Sequence, residues 1–228
     1  LVADRQARAR FVRAHAPEIY DQLTSGRTEH VRLDELCRRA AKAFPGQVPS
    51  EKALAAEAPL MQSAKRGLDI DHGVFLSGLL ADPGVGLHLC HAMLLPRPES
   101  AAALESFRRD GRLDLGKATV ERRGAAVVVT HKNPERLNCE DDSTIAPLET
   151  AIDVATLDPD SKVCVLRGAK VDHPKYAGRH LFGSGINLTD LYWGKISFVG
   201  FYLTRDMGLV NKLFRGVARP DADPDEVA

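Results

Sequence analysis

"VERRGAAVVVTHKNPERLNCEDD", residues 120–142, marks the point where the grammar of this chain changes. Val127, Val128 and Val129 form a short β-branched run of the kind found in buried strands, and Asn133-Pro134 ends it with a turn. Beyond the turn, "DDSTIAPLETAIDVATLD" (141–158) puts Ile145, Leu148, Ile152 and Ala155 on one helical face, with Asp142 or Ser143 available as N-cap. "KVCVLRG" (162–168) predicts a second buried strand. The next connection is longer than most, which marks it as a functional candidate. It runs into "HLFGSGINLTD" (180–190), whose end reads as the first turn of a helix. Strand, helix, strand, loop and helix predict a parallel α/β layer.

Upstream, residues 1–115 show helical spacing and no β-branched alternation. "RARFVRAHAPEIYDQL" (8–23) carries Phe11, Ile19 and Leu23 among charges, and "VRLDELCRRAAKAF" (31–44) repeats Val31, Leu33, Leu36, Cys37, Ala40 and Phe44. Pro45-Gly46, Pro83-Gly84 and Pro96 punctuate the remainder of this half. Downstream, "SFVGFYLTRDMGLVNKLFRG" (197–216) predicts a helix apolar around most of its circumference, hence buried on more than one side. On its wheel Arg205 falls in line with Phe198, Tyr202, Leu209 and Leu213, and an arginine there needs an anionic or carbonyl partner. "RPDADPDEVA" (219–228) is acidic and nearly free of apolar side chains, and reads as a mobile loop. The expected organisation is α/β: an all-helical N-terminal subdomain over 1–115, then an α/β unit over 116–228.

The totals exclude some functions. Lys plus Arg and Asp plus Glu each number 31 in 228 residues, so the formal charge is zero and bulk attraction to nucleic acid is not expected. Cys37, Cys90, Cys139 and Cys164 stand apart with no CxxC pair, as reduced thiols of a cytoplasmic protein do. No apolar run is long enough to span a bilayer, so no membrane partner is expected. The chain begins at Leu1 rather than Met, from which we expect sequence upstream of it.

Three chemistries compete for "HLFGSGINLTD". A serine nucleophile on an elbow needs Gly-x-Ser-x-Gly, whereas Gly183, Ser184 and Gly185 are adjacent, and no His and Asp pair stands out as partner. A phosphate loop needs GxxxxGK[ST] or GxGxxG, and neither occurs. A strand-to-helix turn remains, in which the amides of Gly185, Ile186 and Asn187 point outward, unpaired as first-turn donors are, and meet negative charge developing on a carbonyl oxygen. The residues alone leave that reading level with a plain glycine turn. Elsewhere, "HLCH" presents His88 and His91 at helical spacing, and Asp69, Asp71 and His72 cluster. Neither group has a convincing third ligand, so no metal is expected and the histidines read as packing residues of the helical subdomain.

"VERRGAAVVVTHKNPERLNCEDD", "VCVLRG" and "FGSGINL" occur in the order of a crotonase core, and residues 117–216 resemble the first half of an enoyl-CoA hydratase/isomerase superfamily member. The helical N-terminal half, "HPKYAGRHLFGSGINLTDLYWGKIS" (173–197) and "LTRDMG" (203–208) resemble the cofactor-independent dioxygenases of that superfamily. The resemblance implies the first part of a crotonase-type ββα spiral core. Its implied reaction takes 3,5-dihydroxyphenylacetyl-CoA and dioxygen to 3,5-dihydroxyphenylglyoxylate and CoA, without metal or flavin, in glycopeptide-antibiotic biosynthesis. Ile186 then supplies a backbone oxyanion donor after Gly185, and Ser184 is there because it is small. Asn187 stands where many members carry Asp, and Leu188 and Thr189 come next at the substrate. Glu140, which the nearby helix start favours as a carboxylate, and Arg205 face the phenolic hydroxyls, each compensating the other's charge. His173, Pro174, Lys175 and Tyr176 line the substrate and pantetheine channel, with a solvated loop as the alternative. Lys132, Arg136 and Leu137 flank the CoA site, with a charged surface turn as the alternative. The implied partners are the remaining half of the same polypeptide and further copies in a homotrimer or hexamer. Another crotonase activity (hydration, isomerisation or thioester hydrolysis) and a non-enzymatic helical interaction module are the rival functions.

Overall fold

A computed structural model describes residues 2–222; residues 223–228, most of the tail expected to be a mobile loop, lie outside the described residues. The first apolar stretch forms two helices, α1 (Val2–Ala14) and α2 (Ala16–Leu23). Pro17 explains the break, since it lacks the N–H that a continuous helix would use and its ring crowds the preceding turn. Val12, Ala16, Ile19, Tyr20 and Leu23 turn inward, whereas Phe11 is half exposed. α3 (Leu33–Ala43) buries Leu33, Leu36, Cys37 and Ala40. α4 (Glu51–Glu57), α5 (Leu68–Leu80), α6 (Pro83–Leu94) and α7 (Ser100–Asp110) complete the helical half. Asp82 caps α6 by accepting from the Val85 amide at 2.9 Å, with Pro83 at the first helical position, where its missing N–H is harmless.

The α/β half is a four-stranded mixed sheet in the order β1 (Arg112–Asp114), β2 (Ala118–Arg123), β3 (Ala126–His131) and β4 (Val163–Gly168). Only β3 and β4 are parallel; β1, β2 and β3 run antiparallel, so the expected parallel layer is confined to one strand pair. The reason is local, because Arg123 pairs with Ala126 across a two-residue turn in which Gly124 takes φ +63°. α8 (Asp142–Leu157) crosses from β3 to β4 and buries Ile145, Leu148, Ile152 and Ala155, as its spacing predicts. Its N-cap is Asp141 rather than Asp142 or Ser143, in a capping box with Thr144. β4 is not the buried strand its composition suggests. It is the edge strand, and Val163 and Val165 are 55% and 43% exposed because no described element covers them.

The last helix joins the two halves. Residues 198–215 form one rod, wound as a π-helix over Phe198–Leu203 and Arg205–Val210 before α10 (Asn211–Arg215). Val199 belongs to the helical core with Leu36, Phe75 and Leu76, while Leu209 belongs to the core under the sheet with Phe107, Val127, Val129 and Ile152. The expected burial holds only in part: Val199, Phe201 and Leu209 are buried, each in a different cluster, whereas Tyr202, Val210, Leu213 and Phe214 are exposed. No single described helix is long and apolar enough to cross a membrane.

A buried ionic cluster fixes the rod. Lys212 is fully buried, with Nζ 2.8 Å from Glu149 Oε1 and 2.7 Å from Asp153 Oδ1, close enough for ion pairing although these contacts miss hydrogen-bond angles. Arg32 donates to both Glu149 oxygens at 2.8 Å, and Arg97 reaches Glu149 Oε2 at 3.3 Å. Asp153 Oδ2 accepts from the Arg97 amide and from Ser100 Oγ, both at 2.8 Å. Removing one member leaves the others charged and unpaired in a dry setting. Glu149→Ala should therefore cost about 3–5 kcal/mol, read as a lowered midpoint of urea unfolding. A loss below about 1 kcal/mol would show that water reaches the cluster.

Candidate active site

The turn after β3 is built from two asparagines. Asn133 N–H donates to Asn138 Oδ1 at 2.9 Å, and Asn138 Nδ2 donates to Ala169 O and Leu181 O, both at 2.8 Å. Asn138 thereby pins the turn to the loop after β4 and to the approach to the glycines. Leu137 and Asn138 take φ +55° and +53°, a region that asparagine tolerates and leucine resists. Asn133 Nδ2 donates to Cys139 O at 2.9 Å and to Asp141 Oδ2 at 3.3 Å. Burial works to raise the Asp141 carboxyl, but hydrogen bonds from Ser143 and Asn187 outweigh it and hold the group below its ordinary value.

A single parallel bridge between Glu140 and Ile186 sets the site. Glu140 N–H donates to Gly185 O, and Asn187 N–H donates to Glu140 O, both at 2.8 Å. In such a bridge the residue between the two bonds turns its own N–H and C=O the other way. The Ile186 amide is that donor, and it has no acceptor among the described residues. The Asn187 amide, expected to be free, is consumed by the bridge. These amides also precede the helix: α9 (Leu188–Tyr192) begins after Asn187, whose side chain accepts from the Asp190 amide at 3.2 Å as N-cap. Gly185 takes φ +89°, which no L side chain adopts comfortably. Ser184 Oγ donates to Arg136 O at 3.4 Å, a long contact joining the glycine turn to the asparagine turn.

Paired residues of a parallel bridge send their side chains to the same face. Ile186 packs against the cluster of Ile145, Ile196 and Phe201, and Glu140 meets Arg205 further along the same rod. Arg205 Nε donates to Glu140 Oε2, and Arg205 Nη2 donates to Oε1 at 3.1 Å. This is the anionic partner the sequence demanded for Arg205. The hydrogen bond to Glu140 holds the guanidinium above its ordinary value, against the opposing effect of burial. Arg205 Nη1 also donates to Asp206 Oδ1 at 3.2 Å, and the remaining donors keep room for a further partner, since Glu140 and Arg205 remain part exposed.

The other expected residues are placed less closely. His173 and Tyr176 stack at 5.4 Å in a turn whose Tyr176 amide donates to His173 O at 2.8 Å, with Lys175 Nζ 5.2 Å from the Tyr176 ring centre. Pro174 and Lys175 are exposed, as are Leu188 and Thr189. Lys132 is not free for a phosphate, because Asp114 accepts from it at 2.9 and 3.0 Å. Arg136 is exposed and makes no ion pair among the described residues. Of the tempting metal ligands, His91 Nε2 has no hydrogen-bond partner among the described residues, and the others are engaged. His88 bonds Tyr20 Oη at 2.8 Å and Arg27 O at 2.9 Å, Asp71 pairs with Arg5 and Arg8, and His72 Nε2 meets Pro49 O at 2.8 Å. Among the described residues, no three His, Cys, Asp or Glu side chains are grouped to hold a metal ion.

No protein-family profile matches the chain. Comparison with curated proteins instead finds similarity to a dioxygenase that acts on an acyl-CoA. That relative is (3,5-dihydroxyphenyl)acetyl-CoA 1,2-dioxygenase of Amycolatopsis orientalis, 46% identical over 214 residues, which are 94% of this chain and 49% of the relative. The chain thus spans about half the length of the curated relative it matches.

The turn carries its own test. A Cβ at Gly185 meets nothing within 4 Å, so Gly185→Ala introduces backbone strain without a clash. It should cost about 1–2 kcal/mol in urea unfolding, while Ser184→Ala should stay within about 0.5 kcal/mol. Equal costs would mean that the turn relaxes out of its left-handed geometry.

Proposed function

We propose that the chain is the N-terminal part of a cofactor-independent dioxygenase of the crotonase superfamily, acting on 3,5-dihydroxyphenylacetyl-CoA. The observation that carries this reading is the Glu140–Ile186 bridge. It sets the free Ile186 amide beside Glu140, whose carboxylate holds the Arg205 guanidinium of the rod, one polar group for each end of an aryl-acetyl thioester. The 46% identity to a dioxygenase of that substrate supports it. In this reading residues 1–115 are a helical subdomain, and 116–228 begin a ββα spiral core. The second half of the polypeptide packs against that core and covers the exposed side of β4, and copies assemble as a trimer or hexamer in the cytoplasm.

The thioester oxygen accepts from the Ile186 amide, with a second donor from the missing half. These dipoles bind the enolate more tightly than the neutral carbonyl, which acidifies the α-carbon. Glu140 accepts from the ring hydroxyls and Arg205 donates to them. The electron-rich enolate reduces dioxygen directly and forms a C–O bond at the α-carbon. The peroxide oxygen attacks the thioester carbonyl, the C–S bond breaks, and CoA leaves as the thiol. O–O cleavage and loss of the second α-proton leave a keto acid. The four electrons lost by the α-carbon are those gained by dioxygen. Lys132, Arg136 and Leu137 flank the CoA end. Lys132 is displaced from Asp114 if it binds a phosphate. His173, Pro174, Lys175, Tyr176, Ser184, Asn187, Leu188 and Thr189 line the approach.

Oxygen uptake with the dihydroxyaryl and the unsubstituted phenylacetyl thioesters tests this reading on the full-length protein. Ile186→Ala should keep most turnover, whereas Ile186→Pro, which removes the donor, should lower it about 100- to 1000-fold. Comparable rates for the two variants would exclude the amide's role. Glu140→Gln and Arg205→Lys should harm the dihydroxyaryl substrate more, because lysine keeps the charge and loses the planar fork. Product formation without oxygen uptake would assign hydration, isomerisation or thioester hydrolysis instead.

A further inference from the structure

The rod that carries Arg205 is gripped at its first turn by two carboxylates, one from each half of the chain. Asp142, the first residue of α8, accepts from the Ser197 amide at 3.0 Å and from Ser197 Oγ. Asp69, on α5 in the helical half, accepts from the Phe198 amide. Ser197 in turn caps the rod by accepting from the Phe201 amide at 3.0 Å. The Phe198 ring lies flush on α5, where a Cβ at Gly73 would fall 2.3 Å from Cε1. Two residues before Asp142, Glu140 takes the guanidinium.

Winding makes the start of the rod decisive. Thr204 N–H donates to Val199 O and Asn211 N–H to Asp206 O, five residues back in each case. Thr204 Oγ1 adds a 2.9 Å bond to Val199 O. A π-turn takes more residues than the about 3.6 of an α-turn, so the step from Phe198 to Arg205 falls short of two turns. Phe198 therefore faces α5 while Arg205 swings round to Glu140, instead of both lying on one face. π-turns are rare and occur mostly as single turns inside α-helices, and here the two carboxylates hold the start of a longer run.

We propose that Asp69 and Asp142 are positioning residues that set the aim of Arg205, so that the helical half takes part, through Asp69, in selecting the aryl group. This rests on the reading of Glu140 and Arg205 as the aryl-recognising pair. Asp71 is the control. It lies on the same helix and pairs with Arg5 and Arg8, which belong to α1 rather than the rod.

The experiment compares Asp69→Ala, Asp69→Asn and Asp71→Ala in the full-length protein. The readout is the ratio of kcat/KM for the dihydroxyaryl over the unsubstituted phenylacetyl thioester. Asp69→Ala should lower the ratio about tenfold, chiefly through KM of the dihydroxyaryl substrate, and should add nothing in an Arg205→Lys background. Asp69→Asn keeps an acceptor oxygen and should retain most of the ratio. Asp71→Ala should lower the melting temperature and leave the ratio alone. An unchanged ratio in Asp69→Ala, or an equal change in Asp71→Ala, would overturn the proposal. If the wild type turns over neither thioester, the functional reading fails, and hydrogen exchange over residues 201–207 decides the positioning role separately. Faster exchange there in Asp69→Ala than in Asp71→Ala supports it, and equal exchange overturns it.

Discussion

Lys212 is the constraint on which the rest depends. An ammonium with no exposed surface is stable only where carboxylates surround it, and Glu149 and Asp153 do so from successive turns of α8. Arg32 and Arg97 then neutralise what a single lysine cannot. The cluster thus joins α3, the approach to α7, α8 and the C-terminal rod at one point. Apolar packing alone would let the rod slide along α8, since Leu209 and Val199 sit in separate cores. A buried ion pair has directional partners, so it fixes register.

With its end fixed at Lys212 and its start at Ser197, the rod has little freedom between. Arg205 lies in that interval, and so does the width of the winding that aims it. The other half of the site depends on the asparagine turn. Asn138 binds two carbonyls, Ala169 O and Leu181 O, from either end of the long loop. That loop closes on itself through the Lys170–His180 bridge, so its 171–179 excursion need not disturb the glycine turn it precedes. Ile186 is therefore placed by backbone hydrogen bonds that do not involve its own side chain.

How much the sequence made legible depends on the range of each signal. The α8 face was readable because Ile145, Leu148, Ile152 and Ala155 recur with the helix, and that period is local. The need of Arg205 for an anion was readable because a charge stands among apolar neighbours. Its direction was not, because a wheel assumes α winding and Phe198–Val210 is wound wider. β4 misled for a different reason: composition reports what a strand tolerates, and not whether anything lies over it. The Asn187 amide was misread because its acceptor, Glu140 O, comes from a segment remote in the chain. Asn133 and Asn138 carried a faint signal, two asparagines around a proline, but their carbonyl partners lie in loops without periodicity.

The pairing of Glu140 with Arg205 also explains how charges can stand beside the buried cluster of Ile145, Ile196 and Phe201. Either charge alone would lose solvation without compensation, and Arg205 is held by two carboxylates, Glu140 and, at 3.2 Å, Asp206. The pair is also chemically ambivalent. Its carboxylate can accept from a hydroxyl, and its guanidinium has donors left over after the two used on Glu140 and the one on Asp206. A ring with two hydroxyls would satisfy both, and a ring with none would leave the pair as it stands. In the proposed reading such a site favours the diol without excluding the plain ring, and its selectivity would reside in how accurately the fork is held.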